Sequence, residues 1–199
     1  MKSQALAFGL TAALLATSAC NKSGSANENS TGQTSAAQKA AGTKTIAAGL
    51  APGSRFVAAA KTAGLDQTLA GPGPYTVFVP DDAAFGKGSP GAFDNNPQNR
   101  PQLTGVLTNL ILPGTVMVAD IGKAIDAGKG KAVLATMGGG TLTVTKDGGK
   151  TVLTDSKGNK AAITKGDEQY TNGVVHEIDA VLMPSKTPRG PAVGQKAGK

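Results

Sequence analysis

The sequence predicts a single α+β domain in which helices come first and an antiparallel β-meander, or wedge, follows. Two patterns and the composition point there. The stretch QLTGVLTNLILPG places Leu103, Val106, Leu107, Leu110 and Ile111 at i, i+3, i+4, i+7 and i+8, the spacing of one apolar helix face. After Gly138-Gly139-Gly140 the period changes to two. TLTVT, KTVLT and KAAIT are short alternating runs separated by KDGG and DSKGN, both strong turn signals. A chain of 199 residues with 28 glycines and 4% aromatics suffices for one loop-rich domain or two very small ones.

The elements follow in order. Ser54 is placed to cap a helix carrying Phe56, Val57 and Ala60 on one face, and Gly64 stops it. LDQTLAGPGP leads into a strand over 75–79. The amphipathic helix after it is expected to close at Pro113-Gly114. Asp120 is expected to cap a short helix bearing Ile121, Ala124 and Ile125. Beyond the meander, GVVHEIDAVLM reads as a last strand before Pro184. No internal repeat points to a tandem array.

The ends differ in kind from the middle. Met1-Lys2 and the apolar stretch Ala5 to Leu15 form a targeting segment too short to span a bilayer, expected over 1–19. Small residues then precede the lone Cys20, which resembles the lipobox of bacterial lipoproteins, although Thr17 stands where leucine is usual. Lipidation of Cys20 would anchor the mature chain by its acyl chains. The alternative is an ordinary secretory peptide cut near Ala19, with Cys20 left as a thiol. One cysteine cannot form an internal disulfide. Residues 20–45 then act as a Ser/Gly/Asn/Gln/Ala-rich tether without large apolar residues, and 185–199 form a basic tail.

The net charge of +7 lies on these ends. Between Ile46 and Pro184 twelve Lys/Arg balance twelve Asp/Glu. A nucleic-acid-binding fold would concentrate its basic residues on the domain, so nucleic acid is not an expected partner. The membrane, through the lipid anchor, is.

PYTVFVPDDAAF, over 74–85, sets an apolar run before a proline and two adjacent carboxylates. With NGVVHEIDAVLMP, over 172–184, it is similar to the two signatures of the fasciclin (FAS1) domain family. VLTNLILPGTV resembles the family's central helix, and GGGTLTVT the strand after it. The resemblance covers roughly 46–184 and implies one FAS1-like domain. It implies structural roles for Pro80, Asp81, Asp82 and Phe85 in the first motif, and for Asn172, Gly173, His176 and Asp179 in the second. One departure stands at Asn109-Leu110, where the family often has Tyr-His or Asn-His, so a Tyr-His integrin-type motif is not carried over.

The residues themselves point the same way. Neighbouring carboxylates at a turn diverge, so Asp81 and Asp82 read as one helix cap and one favourable charge at a helix N-terminus rather than a catalytic pair. His176 shares the apolar face of its strand with Val174, Ile178, Ala180 and Leu182, and reads as a core histidine bonded to backbone. GKAIDAGKGK lacks phosphate-loop spacing and DSKGN lacks the acids of a calcium loop. No catalytic residue, metal site or cofactor is therefore expected. The polar stretch 86–101 either connects two helices or carries a binding face, with Asp94, Asn95, Asn96 and Arg100 the residues to inspect. The family resemblance implies a non-enzymatic, envelope-displayed module for cell adhesion, with a protein or glycan partner at the cell surface. The competing reading is a periplasmic structural or carrier protein holding a glycan, a small ligand or an envelope partner, although the lack of tryptophan disfavours sugar stacking.

Overall fold

The computed structural model describes residues 42–87, 93, 94 and 96–184. The targeting segment, Cys20, the tether as far as residue 41, the basic tail and Asn95 lie outside the described residues. The helices are α1 (Ile46–Gly49), α2 (Arg55–Ala63), α3 (Asp66–Ala70), α4 (Asp82–Gly86), α5 (Arg100–Thr108) and α6 (Val118–Ala127). The strands are β1 (Tyr75–Pro80), β2 (Ile111–Pro113), β3 (Lys131–Ala135), β4 (Thr141–Asp147), β5 (Lys150–Thr154), β6 (Lys160–Tyr170) and β7 (Gly173–Ile178). They form one sheet ordered β2-β1-β7-β6-β5-β4-β3, antiparallel throughout except for the β1–β7 pair. The α+β class stands.

The parallel pair is the spine of the fold. Successive side chains on a strand face opposite ways, and β1 and β7 are covered on both faces, which is why each reads as a continuous apolar run. Val77, Val79 and Val175 enter one core with Phe56, Leu103 and Leu107. Phe78 and Ile178 enter a second, with Ile121, Ile125, Leu142 and Leu153.

Three local expectations fail for identifiable reasons. The helix expected to reach Pro113-Gly114 stops at Thr108, and Ile111–Pro113 pairs with Tyr75–Val77 as a strand. Leu110 and Ile111 are buried as the helical pattern requires, but by the sheet. Asp120 is not a cap: it sits in the first turn of α6 and pairs with Lys123. The free Val118 N–H is instead taken by Asp167 Oδ1 at 2.8 Å, from a bulge in β6. The last strand ends at Ile178, and 180–183 continue without regular structure.

Asn172 joins the two ends of the domain. Its Oδ1 accepts from Ile46 N–H at 2.8 Å, and its Nδ2 donates to Leu69 O and Gly71 O, both at 2.8 Å. Its own carbonyl accepts from Tyr75 N–H at 3.0 Å. Gly173 follows with φ 153°, and a Cβ there would run into the Tyr75 carbonyl. Asn172→Ala leaves one donor and two acceptors without their partner in a buried site, so the variant is expected to lose about 3 kcal/mol of stability. Urea unfolding checks this: the midpoint falls and the slope is unchanged.

Candidate functional site

Asp81 and Asp82 face different helices. Asp81 Oδ1 accepts from Ala84 N–H at 2.6 Å and caps α4, which Pro80 introduces by ending β1. Asp82 Oδ1 accepts from Arg55 N–H at 2.9 Å, the first residue of α2, where Ser54 Oγ also accepts from Val57 N–H. One adjacent pair thus serves the positive ends of two helices. Phe85 is buried behind them.

The residues of the second motif are equally committed. Asp179 Oδ1 accepts from Ala162 N–H at 2.8 Å. His176 is fully buried on β7. Its Nδ1 accepts from Asp167 N–H at 3.0 Å, so the proton sits on Nε2, which donates to Val116 O at 2.8 Å. The ring is a neutral strut between the β6 bulge and the segment that enters α6. Among the described residues, no three His, Cys, Asp or Glu side chains converge as a metal site, and no helix is long and apolar enough to cross a membrane.

The loop residues set apart in the sequence do not gather into one cluster. Asn96 Oδ1 accepts from Gln98 N–H at 3.0 Å and opens the 3-10 turn Pro97–Asn99. Asp94 is exposed and uses its carbonyl to accept from Asn96 N–H and Asn99 Nδ2. Arg100 lies over the C-terminal glycine of α2: a Cβ built on Gly64 would stand 2.7 Å from its Nη2. Phe93, the apolar plug of that loop, packs edge-on against Phe85 with ring centroids 5.4 Å apart.

Phe93 also lines a recess of about 370 Å³, with Ala84, Val181 and Met183 supplying apolar wall and Lys87 and Lys160 the charge. Sequence reading missed this place, because its walls come from three distant segments. Asp155 holds two of them together. Its buried carboxylate accepts from Lys157 N–H, Asn159 N–H and Asn159 Nδ2 in the β5–β6 turn, and from Met183 N–H in the C-terminal segment, at 2.8 to 2.9 Å. The DSKGN turn signal was visible in the sequence. The reach from Asp155 to Met183 was not.

Burial pushes the His176 imidazole below its ordinary 6.5, against the opposing pull of its bond to Val116 and the nearby Asp167 carboxylate. The unfolded chain therefore takes up a proton before the folded one does. Stability is expected to be full above about pH 6.5 and to fall as pH drops below it. Denaturant titrations at several pH values check this, and His176→Gln should flatten the profile over that window.

A fasciclin domain model matches residues 52–184. The chain is 34% identical over 142 residues to Protein sll1483 of Synechocystis sp., covering 70% of this chain and 71% of that one. It is 32% identical over 112 residues to Immunogenic protein MPB70 of Mycobacterium bovis, covering 56% and 51%. Over 131 residues it is 30% identical to transforming growth factor-beta-induced protein ig-h3 of Sus scrofa, covering 66% of this chain and 17% of the other. In structure it resembles a FAS1 domain pair from the insect cell adhesion molecule Fasciclin I, with a TM-score of 0.61 at 20% identity. That likeness covers 71% of this chain and 51% of the pair, and it concerns the fold alone. The chain belongs to the fasciclin domain family.

Proposed function

We propose that the protein is a non-enzymatic binding module, displayed on the cell envelope through a lipid on Cys20, which contacts a protein or glycan partner in cell adhesion. The observation that carries this reading is the use made of the polar motif residues. Asp81, Asp82, Asp155, Asp167, Asp179 and His176 all bond backbone groups of their own domain. Side chains so engaged hold geometry, and what remains for a partner is surface. The tether sequence before the domain supports the same reading.

The second reading is a periplasmic structural or carrier protein that holds a glycan, a small ligand or an envelope partner, for which the recess beside Phe93 offers a place. Protease treatment of intact cells separates the two. Under the adhesion reading, the native domain is stripped from whole cells and the Cys20→Ser form is found soluble. Protection of the native domain until the envelope is broken would sink outward display and favour the carrier.

A further inference from the structure

The chain holds a single Asn-Gly step, Asn172-Gly173. Such a step is chemically weak in water, because glycine has no side chain to hinder attack by its own nitrogen on the neighbouring side-chain amide. The same asparagine closes this fold, and it is only 7% exposed. Its Oδ1 accepts from Ile46 N–H, and its Nδ2 donates one hydrogen each to Leu69 O and Gly71 O. Attack needs the amide free to turn onto the Gly173 nitrogen, and water to complete the reaction. In the folded domain three hydrogen bonds fix the amide in one orientation, and burial keeps solvent away from it.

We propose that Asn172 is a deamidation site that the native fold keeps shut, and that deamidation of an open chain bars it from refolding. The Gly173 nitrogen bonds to Asn172 Cγ, the Cγ–Nδ2 bond breaks, and ammonia leaves with the Gly173 amide proton. The cyclic imide so formed takes up one water. It opens at one carbonyl to aspartate or at the other to isoaspartate, and solvent is the only co-reactant. Neither product fits the closed fold. An ionised aspartate at 172 still accepts from Ile46 N–H, but it has no hydrogen for Leu69 O or Gly71 O. Its charge would then face two carbonyl oxygens in a buried site. An isoaspartate routes the main chain through the former side chain and adds a backbone carbon just before Gly173. There is no room for it: a Cβ on Gly173 would already run into the Tyr75 carbonyl, and Gly173 would fall out of step with Tyr75 in the β1–β7 pair. The site is therefore at risk while closure at Asn172 is undone, in a newly made chain or in a molecule that opens.

The test uses the full chain carrying Cys20→Ser, aged in mildly alkaline buffer as the native protein and, in parallel, unfolded in urea. Mass spectrometry of the proteolytic fragment containing Asn172 reads the conversion of amide to acid. A free peptide of residues 168–177, aged in both buffers, corrects for any effect of urea on the chemistry itself. Deamidation at 172 should be slower in the native sample by about a hundredfold or more, because a folded domain is open for only a small fraction of the time. When urea is removed, unmodified molecules should refold, and those modified at 172 should remain in the unfolded fraction. Equal corrected rates in the native and unfolded samples overturn the protection. Modified and unmodified chains that refold in equal proportion overturn the bar to refolding.

Discussion

Asn172 sits where the fold has to be closed, and both hydrogens and the oxygen of its amide are engaged in doing so. The residues it ties, Ile46 and Leu69, lie 126 and 103 positions away in sequence. Bringing such remote segments together costs chain entropy that only contacts made at closure offset. A buried amide that bonds three backbone groups in a low-dielectric site is suited to that task, because every competing arrangement leaves a polar group unpaired. The β6–β7 turn, the start of β1 and the first and third helices all take their positions from this point. Their packing in the helical core follows from it.

The same economy runs through the rest of the molecule. Asp82 reaches back to α2, Asp167 back to α6, Asp155 forward to the C-terminal segment and Asp179 across to β6. Each carboxylate takes a backbone N–H that the local structure leaves free, which lets short elements persist. His176 belongs to this set: its two ring nitrogens span the β6 bulge and the entry to α6. The motifs therefore describe how the domain is held.

Local chemistry made much of the fold legible. Ser54 and Gly64 bracket α2, and KDGG and DSKGN separate strands whose alternation shows which face is buried. The capping role of Asp81 could be read because its partner is three residues away. What stayed hidden depends on distant partners. Leu110 and Ile111 fit a helical stripe and a strand equally well, and only pairing with β1 decides. β3, too short and too exposed to show a clear core face, gave no signal of its own. The recess could not be anticipated, since Phe93, Lys160 and Met183 meet only after the sheet has formed.

The first strand and the last lie side by side, second and third in the order of the seven-stranded sheet, with Tyr75 against Gly173 and Pro80 against Ile178. During synthesis β1 leaves the ribosome long before the strand that must sit beside it. Until Gly173–Ile178 emerges, β1–β2 and β3–β6 are two separate pieces with no strand between them, and neither core has its floor. The domain therefore completes itself late and in one step as its final segment arrives, and a nascent chain stopped short of β7 remains unfolded and open to proteases.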